Sequence, residues 1–207
     1  FGDIIERYTG SPTNSRCING ITDLIYGRGL NATDSETNSV QFGQMKQILK
    51  DLDVRRIVGD LKLLGQGAIQ VVYNKNKTKI MQLKHFPTET LRAEKAKDGQ
   101  IQAFYYHPKW NDLKPSDKPK RIPAYKYGKK SETVEIYCIK PYRAGFYYYS
   151  PVDYQGCLQY CNLEEEVSNY HINNIKNGLQ PSMLLNFNNS IPGDEAQELI
   201  ERKIYDK

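Results

Sequence analysis

Two hydrophobic periods divide the chain. Apolar residues recur at spacings of three and four over residues 11–26, 39–58 and 150–177, and at a spacing near two over residues 68–86 and 133–139. The first set predicts helices and the second predicts strands. In the first helix Ser11 can accept from the open N–H groups of the first turn, and Pro12 has its φ preset for the first helical position. Cys17, Ile18, Ile21, Leu24 and Ile25 form its expected apolar face, and Gly27 and Gly29 end it. Residues 1–10 read as a short lead-in and residues 31–38 as a polar loop. One longer helix is expected over 39–58, with Met45, Ile48, Leu49, Leu52, Val54 and Ile57 turned inward.

From Gly65 the period changes. Residues 68–73 form a strand by β-branched content, residues 74–77 a turn, and residues 79–86 the returning strand. A hairpin needs a third strand to be stable, and residues 100–106 and 133–139 supply candidates. Residues 87–92 read as a turn of helix, and residues 142–149 as an aromatic, extended lead into Ser150. The fold class is therefore α+β, an antiparallel sheet flanked by helices.

The remainder is organised around residues 150–205. Ser150-Pro151 repeats the cap logic of Ser11-Pro12, with Asp153 in the capping-box place, and predicts a long helix over about 151–177. Tyr154, Cys157, Leu158, Cys161, Val167, Ile172 and Ile175 form its apolar face, and Asn177-Gly178 suits a left-handed end. Gln180-Pro181 forces an extended backbone, residues 182–187 read as a short buried strand, and a last helix begins near 190–192. Its Asp194 and Glu195 near the start, and Arg202 and Lys203 near the end, complement the helix dipole.

Composition alters this picture little. The 207 residues suffice for one domain or two small ones, and 16 tyrosines suit half-buried interfaces or ordinary strand packing. The net charge of +5 is mild and does not by itself indicate nucleic acid. Its distribution is uneven: residues 107–130 hold eight basic residues, Lys109, Lys114, Lys118, Lys120, Arg121, Lys126, Lys129 and Lys130, against Asp112 and Asp117. Four prolines there preclude a long helix. Such a segment either meets a phosphate backbone or acidic partner, or is an exposed, solubilising loop, as charged loops usually are. The four cysteines contain no Cys-x-x-Cys pair and are expected as buried thiols of a reducing compartment. Cys157 and Cys161 share a helix face but lack a close second pair for zinc. No leader or membrane-spanning run is read, and the start at Phe1 leads to the expectation of an excerpt from a longer protein.

No chemical motif appears. Residues 59–65 lack the Lys-Ser/Thr of a phosphate loop. Gly65-Gln66-Gly67 has a helix before and a strand after, the reverse of a dinucleotide fingerprint. His85, His107 and His171 are scattered. Glu164, Glu165 and Glu166 are consecutive on a helix and point in different directions. The sequence predicts no catalytic, metal or cofactor site.

The order of caps and turns resembles the portal proteins of tailed bacteriophages or prophages. Ser150-Pro151, the run from Ile175 through Asn177-Gly178 to Gln180-Pro181-Ser182, and Asp194-Glu195 carry it at one end. Ser11-Pro12-Thr13-Asn14 and Leu24-Ile25-Tyr26-Gly27-Arg28-Gly29-Leu30 carry it at the other. The resemblance implies a non-enzymatic structural subunit of a homo-oligomeric ring of about twelve copies, since head-to-tail contacts can close. The ring would sit at one capsid vertex as the head-tail connector, in a virion assembled in the bacterial cytoplasm. Double-stranded DNA would pass through it, and it would contact the packaging terminase, the head-tail adaptor and the major capsid protein, with no membrane involved. It further implies that residues 1–187 form the wing-like body and residues 188–207 start a helix leading toward the stem. The candidate contact residues for subunits or nucleic acid are Lys114, Lys118, Lys120, Arg121, Lys129 and Lys130 against Glu164, Glu165 and Glu166. The competing expectation is a nucleic-acid-binding domain of a DNA- or RNA-processing enzyme, with the basic segment and tyrosines holding a strand by charge and stacking.

Overall fold

Leu49 interrupts what the hydrophobic pattern presents as one helix. In the computed structural model, which describes residues 1–128, 132–177 and 193–205, α3 (Ser39–Ile48) stops at an extended Leu49 and α4 (Asp51–Leu64) restarts beyond Lys50. Leu49 pairs its backbone in parallel with Leu83, and that pairing competes successfully with helix continuation. Asp51 and Asp53 then fall in a new first turn, where carboxylates favour the helix dipole. The break also turns Leu52 out to solvent, against expectation.

Residues 1–10 are helical, not a lead-in: α1 spans Gly2–Gly10 and α2 spans Pro12–Tyr26. The Ser11 hydroxyl accepts from the Asn14 N–H at 3.1 Å, the expected cap. Only Ile18 of the predicted apolar face is buried; Ile21, Ile25 and Leu24, the last 83% exposed, are not. The buried side of α2 is Asn14, Ile18 and Thr22, one stripe at spacing four, which packs on α4.

The hairpin forms as predicted, with β1 (Gly67–Tyr73) antiparallel to β2 (Ile80–Phe86). The Asn74 side chain accepts from the Thr78 N–H at 2.7 Å and fixes the turn. β6 (Val134–Ile139) pairs on the other side of β1, so the order is β2-β1-β6. A second sheet, β3 (Leu91–Ala93), β4 (Ala103–Tyr106) and β5 (Lys120–Pro123), is antiparallel throughout. It meets the first through Ala124 and Ile136. The main core lies between the sheets, where Ala68 and Ile136 meet Leu91, Phe104 and Ile122. Alternate residues of β1 face the other way, and there Gly67 takes α4: a Cβ on it would lie 3.2 Å from the Ile57 carbonyl oxygen. The α+β class holds, with two small sheets in place of one.

Four further expectations are corrected. Residues 142–149 are not one extended run; they pass through a turn and bends with the residues exposed. Ser150-Pro151 does not open the long helix: Ser150 is buried and its N–H meets the Gln66 side chain at 3.4 Å. A 3-10 turn at Gln155–Cys157 precedes α5 (Leu158–Lys176). Asp153 is held by Lys62 and Arg143 instead of capping anything. Of the cysteines, only Cys161 is buried; Cys17 and Cys157 are exposed.

The chain divides into two units, residues 1–165 and 166–207. The second contains the end of α5 and the helix α6 (Asp194–Tyr205). Within it Val167, Ile172 and Ile175, expected on an inward face, are exposed. The expected left-handed end at Gly178 and the strand over 182–187 lie outside the described residues.

Candidate subunit-contact surface

The basic segment is not a single exposed loop. Its end enters the second sheet as β5, where Ile122 reaches the core. Its beginning is pinned by Trp110, whose indole N–H donates to the Thr90 carbonyl at 2.7 Å. The Arg92 guanidinium lies 5.2 Å from the Trp110 ring centre. His107 Nδ1 bonds the Lys109 carbonyl at 2.8 Å, and Asp117 accepts from the Lys114 N–H at 3.0 Å.

Of the predicted contact residues, Lys114, Lys118 and Lys120 extend exposed from this scaffold. Arg121 is used within the chain: its guanidinium forks onto Glu94 with both bonds at 2.9 Å. That planar two-point match is what guanidinium and carboxylate favour, and Arg121 holds the Glu94 carboxyl below its usual range, with Tyr105 adding a bond. Lys129 and Lys130 lie outside the described residues.

The acidic run is likewise partitioned. Glu164 receives the hydroxyls of Ser11 and, at 2.5 Å, Thr13. These two bonds lower its carboxyl, and a relay runs from Glu164 through Ser11 to the Asn14 N–H at the start of α2. Glu165 pairs with Arg7 at 3.0 Å, and Gly10 leaves the room for it: a Cβ there would lie 2.7 Å from the carboxylate. Glu166, in the second unit, is exposed. Among the described predicted contact residues, the exposed charges not committed to a partner named above are therefore Lys114, Lys118, Lys120 and Glu166.

A cavity of about 510 Å³ opens between α2 and α4 and is lined by Asn19, Thr22, Arg55, Arg56, Asp60 and His85 among others. Its carboxylate is committed to structure. Asp60 accepts from the Thr88 N–H at 3.1 Å and the Thr88 hydroxyl at 2.8 Å, and meets His85 Nε2 at 2.8 Å. These bonds lock the end of β2 to α4. Sequence reading missed this junction because nothing in the spacing of Asp60, His85 and Thr88 announces it. Among the described residues no group of three His, Cys, Asp or Glu side chains could hold a metal ion, and no helix is long and apolar enough to cross a membrane.

No protein-family model matches the chain, and no curated protein matches it. Solved structures do. A chain in the neck of an empty gene transfer agent particle, computed with C6 symmetry, superposes on 98% of this chain with a TM-score of 0.65 at 14% identity. A chain in the virion of the native gene transfer agent particle gives 98%, 0.65 and 12%. A chain in the native particle's neck, computed with C12 symmetry, is covered to 44% by 79% of this chain, with a TM-score of 0.53 at 12% identity. The fold is thus shared with these particle chains, and this chain spans about half, 54%, of the first two.

Proposed function

We propose that this chain is the globular body of a portal subunit, a structural part of the head-tail connector of a tailed phage or phage-like particle. The observation that supports the reading is the superposition of nearly the whole chain on a neck chain, at 14% sequence identity. The resemblance of the terminal motifs to portal proteins points the same way independently.

In this reading the chain works by shape and contact, without a catalytic step. The two sheets and α4 give a stiff block, and the α1–α2 pair is fastened to the start of α5 by Arg7–Glu165 and Ser11–Glu164. Head-to-tail closure needs two different complementary faces on each copy. Lys114, Lys118 and Lys120 supply one sign and Glu166 the other, each exposed pair contributing only ~0–1 kcal/mol. In this reading α6 belongs to the part of the chain that leads toward the stem. Double-stranded DNA, the packaging terminase, the adaptor and the major capsid protein are the partners of the assembled ring in the virion.

The test is native mass spectrometry and negative-stain imaging of the full-length parent. A closed ring is expected from head-to-tail closure, and the portal resemblance implies about twelve copies. A monomer or dimer that binds short oligonucleotides with steep salt dependence would overturn the reading in favour of a nucleic-acid-binding domain.

A further inference from the structure

β3 is an outer strand, and outer strands present backbone groups that invite another chain. The Glu94 N–H donates inward to the Ala103 carbonyl at 2.9 Å. By alternation, Leu91 and Ala93 turn their backbone groups to the open side. Side chains close that side. The Arg92 guanidinium donates to the Leu91 carbonyl at 2.8 Å. The Tyr149 hydroxyl accepts from the Ala93 N–H at 3.1 Å, and the Tyr148 hydroxyl from the Ala96 N–H at 3.1 Å. The Tyr147 hydroxyl donates to the Gly99 carbonyl. Three consecutive tyrosines thus meet three backbone groups spaced by three, running in the opposite direction.

The tyrosine segment is held from outside by little else. It forms no strand, and the three rings keep 36–47% of their surface exposed. Tyr147 and Tyr148 pack edge to face at 5.1 Å, and Tyr149 against Phe1 at 5.8 Å. Lys140 lies 5.4 Å from the Tyr147 ring and bonds the Tyr147 carbonyl. The opposite outer strand is closed from the body of the fold, by Asp53 on the His85 N–H and by Leu49 on Leu83.

We propose that Tyr147, Tyr148 and Tyr149 are a detachable guard over a strand-acceptor edge, and that the occupant they exclude is β3 of a second copy of this chain. Antiparallel self-pairing centred on Ala93 places Arg92 of each copy opposite Glu94 of the other, adding a second cation beside the carboxylate that Arg121 already forks. Such a contact is twofold and self-complementary, and so differs in kind from a ring contact. The inference does not rest on the ring reading.

The experiment uses the chain with Tyr147→Phe, Tyr148→Phe and Tyr149→Phe together, which removes the hydroxyls and keeps the rings. Amide exchange at Ala93 and Ala96 should accelerate at least about twofold, and near fivefold at the central value, for loss of one hydrogen bond each. Sedimentation should show concentration-dependent association beyond that of the unaltered chain. Adding Ala93→Pro, tolerated on an outer strand because the missing N–H faces outward, should abolish the added association. Tyr148→Phe alone, measured alongside, should accelerate Ala96 only, and it carries the test if the triple variant does not fold. Unchanged exchange overturns the guard. Faster exchange without association, or association that survives Ala93→Pro, overturns the acceptor edge.

Discussion

The hydroxyl of Tyr73 donates to the carboxylate of Glu135 at 3.1 Å across 62 residues of sequence. Both side chains are buried, Glu135 completely. They lie on adjacent strands at the end of the β1 face opposite the main core, and burial first, then the Glu135 charge, pushes the phenol up to about 12.

Tyr73→Phe should therefore cost about 1–3 kcal/mol, the loss of a buried donor to a charged acceptor, read as a lower midpoint in urea at neutral pH. The phenol is raised above its ordinary value of 10.0, so the folded state favours the protonated form. Its contribution is present below pH 10 and lost as pH rises through about 12. In Tyr73→Phe the alkaline fall in stability should be shallower, and the latest-titrating phenol absorbance should diminish.

Ser11→Ala removes the acceptor of the Asn14 N–H and the donor to Glu164. A loss of about 0.5–2 kcal/mol is expected for such a cap, measured as a fall in melting temperature. Glu164 is held below its ordinary carboxyl value of 4.5 by Ser11 and Thr13. Its contribution is present above that value and disappears as pH falls through the lowered one. Glu164→Gln should flatten the acid limb of the stability curve.

Charge reversal should separate assembly from folding. Lys118→Glu with Lys120→Glu should weaken ring formation by the parent and leave the melting temperature of this chain unchanged. Arg121→Glu places a like charge against Glu94 and should lower the melting temperature of the isolated chain. Equal effects of both variants on melting would remove the distinction between contact and scaffold residues.

Gly65 ends α4 with φ of +76°. A Cβ there would stand 2.6 Å from the Ser150 carbonyl oxygen and 2.7 Å from that of Pro151. Gly65→Ala should cost more than about 2 kcal/mol, the left-handed penalty plus the displaced backbone. Circular dichroism melting reads it directly.

The hairpin and α2 were legible because each depends on local chemistry: alternation over 68–86, and Ser11-Pro12 ahead of a periodic run. Ser150-Pro151 has the same letters and a different outcome. There the backbone N–H of Ser150 is drawn to Gln66, 84 residues away, and a distant partner leaves no mark on neighbouring residues. β3 and β5 were missed because each is short and supported by the central strand β4 of their sheet. The charged candidates were found by sign alone, and sign does not distinguish Arg121, forked on Glu94, from Lys118 on the surface. The tyrosine run was read as extended backbone because its ring content suits a strand, yet its hydroxyls serve a strand beside it.

Leu49, clamped to Leu83 between two helices, has a further consequence. A helix transmits every inserted or deleted residue as a rotation of about 100° to all that follows, and α4 would inherit such errors from α3 if the two were continuous. With the intervening backbone pinned to a strand, length changes upstream turn α3 alone. The segment carrying Ile57 and Asp60 keeps its bearing on the hairpin, so the outer helix is open to evolutionary drift while the inner one is insulated from it.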